Sequence, residues 1–578
     1  MMEDEEKTMK VNESTEKELT GYPSIDRPWL KYYSEEALNA KVPECSMYQY
    51  IVEKNRNNKD QTAIRYYGRK INYGQLFQKI IETARSLKAW GIKEGDTVTL
   101  MSLDTPETLY CIYALNYLGA VINSVYISLT PSEIKKTVCE TASKMLIVLD
   151  IVSDKLTEVA EELENKQILM LHFDTSMPLT SRMVFHLMRK EKRGGYTEWN
   201  TFLKAGKNEE IIPIYKKDAP AVIVYTSGTT GEPKGVVLSN ENINAVALQY
   251  EVSGQEFERG DTFLTYAPPF MAVGISINIH MPFALGLTEE LSADPSPENV
   301  NKVYVKKRPN HFLGAPMNIL LIQKTIKGKM DFCKTIAAGG ELLGNEETKR
   351  LNEFLRKKQS NARYVTGYGM SEFAATVSTE TEFAYKLGSI GIPLCLATAK
   401  VVDTETETEL KYGEVGELCF TSPSMMLGYL NNKLATDEVC HTHRDGKKWI
   451  HTGDLGYIDE DGFIFFTGRM KRIFLTRCAD GIICKIFPAR VEKLVESVNG
   501  VKKCAVAVEE DKEILHRQIA YIVLEEDAKQ EKVLKEVRDV CEENLPMQSI
   551  PCRYELLDKL PLTVSGKTDY GKLEGRKR

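Results

Sequence analysis

A loop rich in glycine and hydroxyl groups, residues 225–236 (YTSGTTGEPKGV), follows directly on the apolar run 221–225 (AVIVY). Gly228 and Gly231 let the chain turn tightly enough for backbone N–H groups to point inward. Thr226, Ser227, Thr229 and Thr230 add four hydroxyls, and Lys234 adds a fixed positive charge. Many donors, one cation and little bulk after a buried strand are what a polyphosphate needs. The loop is not a P-loop. The one Gly-Lys-Thr in the chain is Gly566-Lys567-Thr568, and Pro561 stands where that motif requires its upstream glycine. Taken alone, such a cluster also reads as a plain turn.

The chain has 578 residues, enough for two or more folding units. Apolar runs at 97–102, 221–225 and 335–338 each lead into a turn or helix, as in α/β proteins. Residues 107–118 have helical spacing, with Gly119 as the expected C-cap. Beyond residue 395 short strands and charged turns dominate. From Phe487 a compact α+β pattern follows, with helices expected at 490–498 and 529–544 and strands at 504–508 and 518–523. The boundary is expected as a short hinge near 468–472, which divides the chain into an acidic, disordered tail (1–21), a large domain (22–470) and a small one (471–578). Lys and Arg total 75 against 82 Asp and Glu, a net charge of −7. That balance argues against a nucleic-acid binder, which works by neutralising phosphates.

Four further segments occur in order behind the loop: AGGEL (338–342), TGYGMSE (366–372), TGD (452–454) running on to Arg469, and SGK (565–567). Together with the loop they resemble the adenylate-forming superfamily of acyl-CoA synthetases, peptide-synthetase adenylation domains and luciferase. The likeness is greatest to AMP-forming fatty-acid–CoA ligases and spans residues 46–574. It implies an α/β fold: a large N-terminal domain of sheets flanked by helices with a small distorted β-barrel, and a small mobile α+β C-terminal domain.

The resemblance also implies roles. Thr226, Ser227, Gly228, Thr229, Thr230, Gly231 and Lys234 hold the phosphates of ATP. Gly339, Gly340 and Glu341 run beside the adenine, and Tyr368 stacks on it, with Gly369 and Ser371 in the same turn. Ser371 replaces the usual threonine and keeps its hydroxyl. Glu372 is the ligand of Mg²⁺, a hard oxygen donor for a hard cation. Asp454 accepts from the ribose hydroxyls, and Arg469 reaches ribose and phosphate. Lys567 swings in from the small domain to stabilise charge during adenylation; with Thr226 and Glu372 it makes the expected catalytic set. Lys471 is the hinge. Outside the motif order, Asp454 would be an ordinary capping residue, Arg469 a surface charge and Lys567 a solvated one.

The implied reaction joins a carboxylic acid to AMP and then to a thiol. Residues 267–275 (APPFMAVGI) contain no acid to pair with a substrate ammonium, so an amine-free, hydrophobic acid is expected, with Phe270, Met271, Val273, Gly274 and Ala374 as candidate lining. CoA is the expected thiol, and the phosphopantetheine of a separate carrier protein is the alternative. Residues 481–488 (GIICKIFP) are two residues longer than the family's Gly-aromatic-Lys-Val-x-Pro and lack its aromatic residue. A non-catalytic nucleotide-binding module is the rival of another class, disfavoured by the intact set Lys234, Glu372, Asp454, Arg469 and Lys567.

Three features fall outside the motif set. Residues 262–288 carry no formal charge over 27 residues, yet Pro268, Pro269 and Pro282 interrupt them, so a buried segment beside a pocket is expected rather than a membrane span. Residues 182–193 mix cations with apolar residues and are expected to form a packed helix with a charged outer face, the alternative being a segment that touches a membrane surface. Cys440, His441 and His443 lie together, but no second sequence cluster completes a ligand set, and a solvated loop is expected there. Scattered cysteines without a CxxC pair and a polar N-terminus suggest a reducing, cytoplasmic setting with no stable membrane insertion; a role in fatty acid metabolism is what the resemblance to fatty-acid–CoA ligases implies.

Overall fold

The computed structural model describes residues 19–159, 163, 166–188, 196–226, 233–472, 474–477, 483–511, 513–563 and 567–574. Among these, two large sheets dominate. One has eight strands, and its centre is Pro220–Tyr225, Val121–Ser124, Thr97–Met101 and Met145–Leu149. These run parallel and are buried almost throughout, as expected when helices cover both faces. The other has nine strands and places Thr335–Gly339 beside Tyr364–Tyr368 in parallel register. The helix Pro106–Tyr117 is buried over its whole length between neighbours, which suits its lack of a polar face.

A third sheet is antiparallel throughout: Thr398–Val402, Gly416–Thr421, Lys448–Ile458, Cys440–Thr442 and Ile464–Arg469. It occupies the place of the expected small barrel. The N-terminal segment packs against it from far away in sequence. Trp29 is completely buried, in a cluster with Ile392 and Phe463. Ser24 Oγ donates to Glu409 at 2.7 Å, Tyr412 Oη to Asp26 at 3.0 Å, and Lys31 Nζ to Asp461 at 2.8 Å.

The C-terminal unit is a three-stranded sheet, Val501–Asp511, Leu515–Leu524 and Arg553–Leu556, covered by the helices Pro488–Glu496 and Gln530–Asn544. Strand Ile483–Ile486 pairs with Phe474–Arg477, so part of the lengthened 481–488 stretch is a hairpin arm. The junction is anchored on both sides. Arg469 is a cross-strand partner of Asp454 in the third sheet. Arg472 is clamped by Glu492 at 2.9 and 3.0 Å and lies 3.7 Å from the Tyr570 ring centre. Between these anchors the backbone makes a single 3₁₀ turn, Met470–Arg472.

The uncharged segment 262–288 is a buried strand, a π-helical turn Gly274–His280 and a short helix Met281–Ala284. Asn278 Oδ1 accepts from the N–H groups of Tyr266 and Ala267 at 2.9 and 3.1 Å, which ties the turn to the loop holding Pro268 and Pro269. Among the described residues no helix is long and apolar enough to cross a membrane. The helix Leu179–Met188 covers the first part of the basic segment 182–193, whose last five residues lie outside the described set.

Candidate active site

The phosphate-type loop springs from the end of Pro220–Tyr225 and returns in Gly235–Ser239, an antiparallel pair. Its base is closed by reciprocal bonds: Thr226 N–H donates to Lys234 O, and Lys234 N–H to Thr226 Oγ1, both at 3.0 Å. Ser227, Gly228, Thr229, Thr230 and Gly231 lie outside the described residues. The Lys234 ammonium sits over the Tyr429 ring, 4.8 Å from its centre. Tyr429 Oη donates in turn to Glu372 Oε1 at 2.6 Å. One tyrosine thus joins the loop cation to the carboxylate expected to hold the metal. Sequence reasoning missed it. Its position follows from Gly428–Tyr429 pairing with Gly235–Ser239, which no local pattern announces.

Glu372 is almost fully buried in the turn Ser371–Phe373, just past the strand Tyr364–Tyr368. Gly369 permits that turn, because a Cβ there would lie 1.9 Å from the Ala375 carbonyl oxygen. Tyr368 Oη donates to Asp454 Oδ2 at 2.7 Å. Arg469 Nε lies 3.2 Å from Asp454 Oδ1. Both oxygens of the carboxylate expected to meet ribose therefore already face donors. Burial raises the Asp454 carboxyl above its usual range, and Arg469, Tyr368 and Lys567 pull it back.

A second carboxylate supports this region from behind. Glu380 accepts from the Thr366 N–H at 3.0 Å and from Ser389 Oγ at 3.2 Å, and burial pushes its carboxyl up to about 7. A folded-state value above the unfolded one, 4.5, gives stability that is complete below pH 4.5 and is lost as pH rises through 7. Glu380→Gln keeps the acceptor without the charge. We expect the variant to gain on the wild type between pH 4.5 and 7 and to hold that margin above it. Urea midpoints at pH 5, 6, 7 and 8 check this, and a margin independent of pH would refute it.

Lys567 enters from the small unit. Its Cε lies 3.8 Å from where a Cβ on Gly340 would stand, and Gly340 has φ +87°, so the bare backbone leaves room for the lysine. Burial lowers the ammonium's pKa and Arg469 lowers it further, while Glu341, Asp454 and Glu372 oppose them. Gly339 abuts Gly367 in the neighbouring strand, with a Cβ on it only 3.1 Å from the Gly367 oxygen. Between the two units lies a cleft of about 2000 Å³ whose wall includes Gly340, Glu341, Asp454, Arg469 and Lys567. Lys234, Tyr368 and Glu372 are not on that wall. Tyr368 joins it through Asp454, and Glu372 through the field it exerts on Lys567.

The Cys440–His441–His443 segment is a strand edge and turn, not the solvated loop expected. Cys440–Thr442 pairs with Lys448–Ile458, and this places His451 against His443, Nε2 to Nε2, at 2.9 Å. The completing residues come from elsewhere in the chain, so the sequence cluster alone does not reveal them. Burial, with the Lys400 charge, pushes the His443 imidazole down to about 4.

Comparison with known proteins places these motifs in a family context. Residues 51–430 match the family described as AMP-binding enzyme, and residues 490–567 match the AMP-binding enzyme C-terminal domain. The chain is 27% identical over 562 residues to the long-chain-fatty-acid–CoA ligase of Bacillus subtilis (strain 168), covering 94% of this chain and 96% of that one. It is 28% identical over 522 residues to the 2-succinylbenzoate–CoA ligase of Bacillus licheniformis, covering 88% and 95%. The fold is similar to that of the o-succinylbenzoate coenzyme A synthetase from Bacillus subtilis solved with ATP and magnesium ion. The TM-score is 0.71 at 24% identity, over 91% of this chain and 98% of that one.

Proposed function

Because the chain belongs to the AMP-binding enzyme family, within the adenylate-forming superfamily, we propose that it activates an amine-free, hydrophobic carboxylic acid with ATP and passes the acyl group to CoA. The observation that carries this reading is the convergence of Asp454, Arg469, Glu341 and Lys567, from both units, on one cleft. The names of its relatives, which are CoA ligases for fatty and aromatic acids, support an acid–CoA ligase. The absence of any acid from residues 267–275 supports an amine-free substrate, because a buried ammonium left unpaired there would be costly.

In the first half-reaction an oxygen of the substrate carboxylate attacks the α-phosphorus of ATP. The bond from that phosphorus to the bridging oxygen breaks, and pyrophosphate leaves with the electron pair. The carboxylate is already anionic at neutral pH, so no protein base is needed. Asp454 orients the nucleotide by accepting from ribose hydroxyls in place of Tyr368 and Arg469. Lys567 sets a positive charge where negative charge develops. The buried carboxylate of Glu372, bonded by Tyr429, suits a hard dication, and Mg²⁺ held there would supply charge neutralisation of the phosphates. In the second half-reaction the CoA sulfur attacks the acyl carbonyl carbon, the thiol proton passes to solvent, and AMP leaves.

Exchange of labelled pyrophosphate into ATP tests the reading. A panel of fatty acids, aryl acids and amino acids should give exchange with members of the first two classes and none with the third. Exchange supported by no carboxylic acid would sink the proposal. Glu372→Gln replaces a carboxylate by an amide, a poorer ligand for a hard cation, and should shift the magnesium dependence of exchange to higher concentration. An unchanged dependence would remove Glu372 from the metal site.

A further inference from the structure

Four side chains that the adenylation chemistry does not use meet on the outer edge of the third sheet. The chain has eight histidines, and three of them, His441, His443 and His451, lie together there with Glu407. One ligand atom from each of the four lies within 4.8 Å of the others. The sheet register explains the meeting. His441 pairs with Trp449 across the hairpin, so His451 is two residues further along the facing strand and on the same side. Glu407 reaches in from the turn between Thr398–Val402 and Gly416–Thr421, its carboxylate 3.3 Å from His441 Nδ1. The rings of His441 and His443 lie 4.3 and 5.1 Å from that of His451, centre to centre.

The arrangement has the chemistry of a metal site. The facing Nε2 atoms of His443 and His451 include at most one shared proton, so at least one lone pair points into the cluster. A tetrahedral ion with bonds of about 2.0 Å sets its ligand atoms about 3.3 Å apart, and the His443–His451 nitrogens stand at 2.9 Å. His451 is nearly buried and bonds through Nδ1 to Glu417 Oε2 at 2.7 Å. A carboxylate behind a ring nitrogen is the arrangement that fixes tautomer and aim in liganding histidines. Imidazole donors favour borderline ions over magnesium or calcium, which prefer oxygen. The Lys400 ammonium, a cation on this flank, is held over the Trp449 ring at 3.9 Å.

We propose that Glu407, His441, His443 and His451 bind one divalent transition-metal ion of the zinc class, at a site distinct from the nucleotide cleft. None of the four lines that cleft, yet the two are joined. Glu417 accepts from His451 through one oxygen and from the Gly453 N–H, at 2.8 Å, through the other. The ion therefore braces the strand that carries Asp454, three residues beyond His451.

The test uses tag-free, full-length protein stripped with chelator and titrated with Zn²⁺ and, separately, Co²⁺. Expected are one Zn²⁺ per chain by calorimetry and metal analysis, and the intense visible bands of four-coordinate cobalt. His441→Ala and His443→Ala should each abolish the cobalt bands. Glu417→Gln should weaken Zn²⁺ by about 10–100-fold, the usual cost of losing a partner of a liganding imidazole. Glu407→Gln, at an exposed position, serves if a histidine variant unfolds, and metal-free thermal unfolding reports that. Zn²⁺ bound with unchanged affinity by the His441→Ala/His443→Ala double variant, six-coordinate cobalt, or no stoichiometric binding by wild type would each overturn the proposal. Magnesium-dependent pyrophosphate exchange is measured alongside, so that failure of this site is read separately from failure of the proposed reaction.

Discussion

Lys567→Ala should cut pyrophosphate release in a single turnover by about 10²–10³-fold, the usual loss when one preorganised charge contact to a transition state is removed. The structure gives the reason. The lysine side chain passes close to the bare backbone of Gly340, and its ammonium feels the charge of Arg469 and, opposing it, those of Glu341, Asp454 and Glu372. A positive charge thus already stands in the cleft as negative charge builds on the leaving group. Thioester formation from acyl-adenylate supplied ready-made should change far less, since no pyrophosphate departs in that step. A Lys567→Ala enzyme that loses both half-reactions equally would show that the lysine supports the fold of the cleft and not the chemistry. Lys567→Arg keeps the charge and should recover part of the lost rate.

Lys471→Pro should give the opposite pattern: pyrophosphate release near the wild-type rate, and thioester formation from the synthetic adenylate markedly slowed, as for a gating motion that limits turnover. We propose that the small unit turns about Lys471 between the two half-reactions. Arg469 belongs to the third sheet through Asp454, and Arg472 belongs to the small unit through Glu492 and Tyr570. Rotation of one unit against the other must therefore be absorbed by the turn between them. Proline locks φ near −65° and removes an N–H, so it holds that turn in one state. Stopped-flow measurement of both half-reactions on the same preparation checks this. Equal loss in both would place the pivot elsewhere.

The parts of this architecture that the sequence discloses are those set by local pattern. The parallel strand Thr97–Met101, the helix Pro106–Tyr117 and the strand-to-loop transition at Tyr225 fall where apolar runs and turn residues put them. Motif resemblance reached Asp454, Arg469, Glu372 and Lys567 as candidates, because each sits in a short string with its own turn chemistry. What stayed hidden depends on pairing between distant strands. Tyr429 meets Glu372 through a sheet edge formed with Gly235–Ser239, and Glu380 lies behind Thr366 through an antiparallel return. His451 and Glu407 complete the cluster begun by His441 and His443 only once the third sheet closes. A lone histidine or glutamate carries no sign of the partner that a register will bring to it.

The docking of the N-terminal segment on the third sheet sets a clock on biosynthesis. Lys31 meets Asp461, which is 430 residues later in the chain, and Trp29 has its buried neighbour Phe463 from the same late stretch. At about 5–20 residues per second, a ribosome needs roughly 20–90 s to reach the partners of this segment after synthesising it. During that interval the Trp29 indole has no permanent cover, although the strands of the first sheet can already assemble. This segment is thus synthesised long before it can be packed. Nascent chains halted before residue 409 should present this segment to proteases and holdase chaperones, and chains halted well beyond residue 463 should not.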